Sequence, residues 1–540
     1  MTNVPRALLA IDAGAATTSV ALLGKPHHRW RLIGSAAAPA GTPPDVLAAL
    51  VAARLVQADL ALADHLGVSI TSVDDLPRLE ATSSPPETLA VFGASGRAVR
   101  LLEGVAARTP FRIRAASPES HDPREMTELA LRPEVTAILV GASDPPGPDE
   151  RGWLDDLAGL VGAVARRRPE VRVVLAGPIA SRPAWAEGVG NAAPESGPER
   201  VFEAPPLGLR SGPDEPLREI IERLIPGSSD SRHVSIRAVL SLADGLDRRV
   251  ELLDVGLDGG LRAMASPGIA DEGPSVVAVR TAQGALVPLE IDDATVDTVL
   301  AWTTGSLDRH RMGDRLLDLR SQPWADAAGE GARLRLSAAR AALTRLAARS
   351  GDIGAMASPD VTVVAGGAFA VAPARAVAMA VADTIRRPGA TQLAFDHARL
   401  LGPIGTIDDP DERRDLVLDL ADDLLAPIGS LVVVGGVPAS RRGAGRLTLD
   451  GDRHGRHDLP GGDVAFIDLP PGDQAVATLE FRDAVRFGHR ARRVAVPVSG
   501  GVAGLAVDLR DVPLRLPERR DRRRTALAEW GELAWPTDEH

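Results

Sequence analysis

Residues 8–22, Leu-Leu-Ala-Ile-Asp-Ala-Gly-Ala-Ala-Thr-Thr-Ser-Val-Ala-Leu, constrain the fold of this chain more than any other stretch. Two apolar runs, 7–11 and 19–23, flank a turn built from Asp12, Gly14, Ala15, Ala16, Thr17 and Thr18. Each run has the length of a strand, and the pair predicts a β-hairpin with a small-residue turn. Small residues let a backbone approach closely, and successive N–H groups in such a turn form a concave nest for a phosphate. Thr17 and Thr18 add hydroxyl donors, and Asp12 is the kind of carboxylate that holds Mg²⁺ through water. An ordinary hairpin turn shares this look, so the rest of the chain has to decide.

The pattern returns at 251–261, where an apolar run reaches Asp254-x-Gly256 and continues through Asp258, Gly259 and Gly260. A third element is the apolar run 361–365 entering Gly366-Gly367 just before a helical pattern at 373–387. Taken alone, this third element is equally a strand–loop–helix corner in which glycine permits tight packing. Asp-x-Gly-x-x-Thr-Thr between two strands resembles the first phosphate loop of the actin/hexokinase/heat-shock-chaperone ATPase fold. Two such loops suit a duplicated core, one per lobe, facing each other across a cleft. In that fold Gly366-Gly367 would lie against adenosine.

At 540 residues the chain exceeds what one hydrophobic core supports, so several domains are expected. The runs 135–141 and 171–177 read as buried strands with a helix at 153–168 between them, which predicts a parallel sheet with helices on its faces. Segments 37–45, 143–149, 190–216 and 227–231 are rich in Pro, Gly and Ser and mark loops or seams. The run 250–255 opens a second half, with a helix expected at 334–348. Beyond 431 short alternating runs (445–449, 464–469, 474–481, 493–498, 505–509) predict a small β-domain, closed by a helix at 519–530.

A net charge of −12 argues against nucleic acid or an anionic membrane as the main partner. Lys25 is the only lysine among 61 basic residues, a bias that reflects coding pressure rather than function. With no cysteine there is no disulfide, thiolate metal site or cysteine nucleophile. Asp12 interrupts the N-terminal apolar stretch and no run reaches ~18 apolar residues, so the expectation is a cytoplasmic protein without a membrane span.

End to end, the chain resembles the glutamate mutase L family, accessory proteins of adenosylcobalamin-dependent mutases. The resemblance runs through the loop 12–18, Arg31 to Gly34, Pro43 to Asp45, Phe92-Gly93-Ala94-Ser95-Gly96-Arg97, 137–147, Leu175-Ala176-Gly177 and Asp254-Val255-Gly256. Its most specific part is Gly366-Gly367, Ala372-Pro373, Asp383, Thr391 to Asp396 and 401–407. Ser499-Gly500-Gly501, Gly504-Leu505, Asp508, Arg510, Pro513-Leu514, Pro517 and Trp530 match the family's end.

The departures bear on function. Family members usually carry Gly-Gly-Ala-Thr-Thr-Asp after the second Asp-x, where this chain reads Gly256-Leu257-Asp258-Gly259-Gly260-Leu261. Both threonine hydroxyls are gone. A hydrogen bond to a charged group is worth roughly 1.5–3 kcal/mol, so their loss weakens phosphate holding, while Gly259 and Gly260 still offer backbone N–H groups. The loop 141–147 gains Pro145 and Pro146, which remove donors, and the family's Ala-Gly-Asn has become Ala176-Gly177-Pro178.

Other candidates read as bland. His454 and His457, between Asp450 and Asp458, fall in a hairpin loop, and His27-His28 in a surface turn. The arginines of 519–524 read as an exposed helix start, and 499–504 as a tight turn or bulge. Ser95 and Ser143 lack nucleophile-elbow spacing.

The fold expected is α/β: a two-lobed actin-like ATPase with a ribonuclease H-like duplicated core, lobe I over 1–235 and lobe II over 236–410. A mostly β domain with a terminal helix would cover 411–540. By resemblance, the protein binds ATP between the lobes and reactivates or assembles a cobalamin-dependent mutase or similar enzyme, as a weak ATPase at most. In that scheme Asp12 and Asp254 are the catalytic and metal residues holding Mg²⁺ through water, the loops Gly14 to Thr18 and Gly256 to Gly260 grip phosphates, and Gly366-Gly367 lies on adenosine. The partner would be a mutase subunit, alongside a homo-oligomeric arrangement. Two alternatives stay open: a scaffold whose nucleotide site has degenerated, and a small-molecule kinase.

Overall fold

The computed structural model describes residues 6–143, 145–178, 182–190, 200–205, 215–225, 230–268, 272–325, 327–437, 443–510 and 512–535. Asp144 of the loop 141–147, most of the seam 190–216, and residues 227–229 of the next seam lie outside the described residues. The chain divides into two compact units. The first comprises Met1–Ser84, Ser228–Ala278 and Gly284–His540, and the second Pro85–Gly227 with Val279–Gln283.

The first unit begins with β1 (Ala7–Ala13) and β2 (Thr17–Gly24), buried along almost their whole length. They pair antiparallel with Asp12 opposite Ser19, and β2 pairs antiparallel with β3 (Arg31–Pro39). The helix Pro44–Ala58 then crosses over, burying Leu47, Val51 and Leu55, before β4 (Arg78–Thr82) runs parallel to β1 with Asp12 opposite Ala81. The sheet order is β3-β2-β1-β4. A parallel neighbour requires such a crossover, which here places the helix over the sheet.

In the second unit β5 (Thr88–Gly93), β6 (Arg112–Ala116), β7 (Val135–Gly141), β8 (Arg172–Ala176) and β9 (Val201–Glu203) form an all-parallel sheet in the order β6-β5-β7-β8-β9. Its strands are near-continuous apolar runs, as burial on both faces demands. At the carboxyl ends of β5 and β7, Glu150 locks the loops. Its carboxylate accepts from Ser95 Oγ (2.6 Å), Ser143 Oγ (3.3 Å) and the Gly147 N–H (3.0 Å). Both serines therefore hold the fold there.

The first unit resumes with the helix Ser231–Leu246 and a second sheet. In it β10 (Val250–Val255) pairs antiparallel with β11 (Gly260–Ser266), Asp254 opposite Leu261, and parallel with β13 (Val361–Ala365), Asp254 opposite Ala365. With β12 (Ser275–Thr281) and β14 (Gly389–Phe395) the order reads β12-β11-β10-β13-β14, the order of the first sheet repeated with one more strand. This repetition, with the same pairing senses around β1 and β10, is the duplicated ribonuclease H-like core of an actin-like fold. Alanine-rich helices Gly329–Arg349 and Ala374–Thr384 cover the second sheet, their small side chains permitting close packing.

Residues beyond 410 serve two sheets. β15 (Ala426–Val433) joins β14 antiparallel, β21 (Gly504–Asp508) joins β15 parallel, and β18 (Val464–Ile467) joins β21, extending the second sheet to eight strands. β16 (Gly445–Gly451), β17 (Gly455–Leu459), β19 (Gln474–Phe487) and β20 (His489–Ser499) form a separate four-stranded sheet in the order β17-β16-β19-β20. His454 sits in the exposed β16–β17 turn, 3.2 Å from Asp450 Oδ1. The helix Arg520–Ala534 ends the described chain. Among the described residues, no helix is long and apolar enough to cross a membrane.

Candidate functional site

The duplicated hairpins place Asp12 and Asp254 at matching positions, each next to the last residue of a central strand. Each turn closes on itself. The Gly14 N–H donates to the Thr17 carbonyl (2.8 Å), and the Gly256 N–H donates to the Gly259 carbonyl (3.0 Å). These two N–H groups are used inside their own turns and are not free for a ligand. Gly366 has φ 110°, and a Cβ there would collide with the Val255 carbonyl, so only glycine brings the end of β13 this close to the second hairpin.

Asp12, Gly14, Ala15 and Ala16 from the first hairpin line one cavity with Asp254 and Gly256 from the second. Gly366 and Gly367 form part of the same wall. The free volume is about 70 Å³, small against the ~300–1,000 Å³ of typical ligand pockets. Two arginines also line the cavity, Arg232 and Arg399.

Arg232 stands in the first turn of the helix Ser231–Leu246, which Asp230 caps by accepting from the His233 N–H (3.0 Å). Arg399 precedes the short helix Leu401–Gly405, whose start Asp396 caps by accepting from the N–H groups of Leu400 (2.9 Å) and Leu401 (3.1 Å). These two helices pack so tightly that a Cβ on Gly405 would collide with the Val234 carbonyl. Small residues thus bring both arginines to one place. Arg399 Nη1 lies 3.6 Å from Asp12 Oδ2, and Arg399 Nη2 donates to Thr17 Oγ1 at 3.2 Å. Arg232 Nε lies 3.7 Å from Asp254 Oδ2.

Burial raises the pKa of both Asp12 and Asp254; Arg399 and the Ser231 hydroxyl only partly offset it at Asp12, and Arg232 and Arg399 only partly at Asp254. Asp396 is pushed up to about 6, by burial first, against the opposing pull of its two backbone hydrogen bonds. Asp12 Oδ1 and Arg232 Nε are buried without a hydrogen-bond partner. A buried acceptor and a buried donor left open on one cavity point to a ligand that satisfies them.

Other residues singled out by sequence lie elsewhere. Thr17 and Thr18 are both buried on β2 and neither lines the cavity; Thr17 is tied to it only through its hydrogen bond with Arg399. Asp258 accepts from Arg320 Nη2 (2.6 Å), and a Cβ on Gly260 would come within 2.8 Å of the Gly284 carbonyl oxygen. Asp258 and Gly260 therefore build the fold of the second hairpin, and Gly259 closes its turn. Conversely, Arg232 and Arg399 carry no local signal for a site, and Asp396 stands out only within the matched stretch 391–396, since tertiary packing is what brings all three to the hairpins.

Mg²⁺ needs free oxygen ligands in near-octahedral geometry. Both carboxylates expected to hold it already face guanidinium groups within 4 Å, an arrangement that does not fit a dication. Among the described residues, no group of three or more His, Cys, Asp or Glu is placed to hold a metal ion.

No protein-family model matches the chain, and no curated protein matches it. Solved structures do match, weakly. The (R)-2-hydroxyglutaryl-CoA dehydratase component A of Acidaminococcus fermentans is 8% identical, with a TM-score of 0.26, over 75% of this chain and 98% of that one. Plasmodium falciparum glycerol kinase with ADP is 11% identical, with a TM-score of 0.28, over 76% and 92%. A PilM–PilN type IV pilus biogenesis complex is 15% identical, with a TM-score of 0.22, over 78% and 99%. Scores this low lend no weight of their own, and the fold stands on its strand order and register.

Proposed function

We propose that this cleft binds the phosphates of a nucleotide and that the protein is an ATP-binding accessory protein of another enzyme. The observation that carries the reading is the meeting on one cavity of Asp12, Gly14, Asp254 and Gly256, from two hairpins in matching positions, with Gly366 and Gly367 from the end of β13. The resemblance to the glutamate mutase L family names the finer role: reactivation or assembly of a cobalamin-dependent mutase. Nucleotide state would set the angle between lobes, a hinge closure that a partner reads. The separate four-stranded sheet β17-β16-β19-β20 would supply partner surface beyond a minimal core.

A second reading, a scaffold with no turnover, is favoured by one specific observation: both hairpin carboxylates already face an arginine. Affinity purification of the full chain, with and without ATP, tests the partner role. The expected result is recovery of a cobalamin-dependent mutase subunit in a nucleotide-dependent manner. Phosphorylation of a metabolite by the pure protein at a useful rate would replace this reading with a kinase. Binding of ATP without measurable turnover would select the scaffold.

A further inference from the structure

Resting on the phosphate-binding reading, we propose that Arg399 and Arg232 supply the positive charge that a metal would otherwise bring. The cleft then takes a diphosphate group, of a nucleotide or of free pyrophosphate, without a divalent cation.

Four observations converge on this. First, both guanidinium groups lie where a phosphate would meet the glycine turns. A Cβ on Gly14 would be 3.4 Å from Arg399 Nη1 and one on Gly367 would be 3.1 Å from Arg399 Nη2, while one on Gly256 would collide with Arg232 Nη2. Second, the turn N–H groups of Gly14 and Gly256 are consumed inside their hairpins, leaving the arginines as the strongest donors on the cavity. Third, their pairings are loose. At 3.6 and 3.7 Å neither arginine makes a hydrogen bond to its aspartate, and Arg232 Nε is buried with no acceptor. Fourth, Arg399 holds a left-handed backbone, φ 56°, a conformation costly for a residue with a side chain and concentrated at functional positions.

A planar guanidinium matches two phosphate oxygens at once and is always charged, so it needs no metal to present a positive face. A polyphosphate carries several charged acceptors that a guanidinium can take two at a time, whereas the aspartates these arginines face stand beyond hydrogen-bonding distance. The cavity, about 70 Å³ as it stands, has room for a phosphoryl end, with the rest of a nucleotide lying outward.

The test is a calorimetric titration of the full chain with ATP, ADP and pyrophosphate, each in EDTA and again with excess Mg²⁺. Binding in EDTA at least as tight as in Mg²⁺ is expected. Arg399→Gln and Arg232→Gln should each weaken it by about ten- to a hundredfold. Arg453→Gln, on an exposed surface pair, serves as the unchanged control. Pyrophosphate binding as well as ADP would place recognition in the diphosphate, and ADP alone would add the nucleoside to it. Binding that requires Mg²⁺ overturns the proposal while leaving the nucleotide reading intact. Metal-free binding that survives both arginine substitutions overturns it too. Absence of binding under every condition removes the nucleotide reading itself. The metal dependence is read on the unaltered protein, so a variant that fails to fold does not spoil the test.

Discussion

Two clusters in the first unit are built from the same residue types, yet they are chemically unlike, and the side chains of the cleft pairs keep some exposure where those around Asp508 keep almost none. In the cleft, Asp12 and Asp254 face Arg399 and Arg232 at 3.6 and 3.7 Å, beyond hydrogen-bonding distance, with a cavity lined by all four. Near the C-terminus, Asp508 of β21 receives both Arg386 (2.5 and 3.2 Å) and Arg510 (3.0 and 2.7 Å) in two-pronged pairs. Arg510 also reaches Asp383 (2.8 Å), which accepts from Arg340 (2.6 Å), and its guanidinium lies 4.4 Å from the Trp530 ring centroid. Burial opposes the ionisation of Asp508, but Arg510 and Arg386 outweigh it and hold its pKa below the ordinary value. Asp12, buried as well but facing a distant arginine, is pushed the other way. Geometry, not composition, decides which cluster ties the fold together and which stays available to a ligand.

The largest expected effect tests the tied cluster. Asp508→Ala leaves buried Arg386 without its carboxylate and Arg510 with Asp383 alone, and should cost roughly 3–5 kcal/mol in denaturant titrations. Arg399→Gly should cost no more than about 1–2 kcal/mol, because the pair it breaks is loose and glycine relieves the left-handed backbone. Equal losses in the two variants would erase the distinction between the clusters.

The second effect is in pH dependence, and its sign differs between the clusters. Asp396, with its folded pKa near 6 against 3.8 for the free side chain, stabilises the fold fully below pH ~4, and that contribution fades as pH rises through 6. The stability of the protein relative to Asp396→Asn should therefore fall by up to about 3 kcal/mol between pH 4 and pH 7. Asp508, with a lowered pKa, contributes above its unfolded pKa and loses that contribution only as the medium becomes more acidic. A parallel pH profile for the two residues would contradict the account.

The smallest effect concerns Thr17. Thr17→Val removes the hydroxyl that accepts from Arg399 Nη2, and phosphate affinity should fall by about 1 kcal/mol, with Thr18→Val leaving affinity unchanged. Comparable losses from both would mean that Thr17 has no special part in holding Arg399.

Much of the fold was legible because it is local. The apolar runs around Asp12 and Asp254 are strands in the structure, and so is 361–365 before Gly366-Gly367, because period and turn chemistry are written in neighbouring residues. The partnerships of the last strands were not legible. Runs at 464–469 and 505–509 read correctly as strands, but their place in the large sheet depends on β14 and β15, distant in sequence. At the site, strand alternation sets Thr17, which bonds Arg399, apart from Thr18, although neither threonine lines the cavity itself. Asp258 reads like a phosphate-loop carboxylate until Arg320 is found on it. Arg232 and Arg399 are two arginines in a chain crowded with them, and nothing but the packing of two helices on one another marks them out.

The central claim is that the cleft cluster serves a ligand and the Asp508 cluster serves the fold. It is tested most directly by titrating ATP, at a temperature where all three proteins are folded, into the unaltered chain, Arg399→Gln and Asp508→Asn. Binding lost or weakened about tenfold or more in Arg399→Gln and kept in Asp508→Asn is the predicted result. Binding kept in Arg399→Gln, or lost in a folded Asp508→Asn, would contradict it.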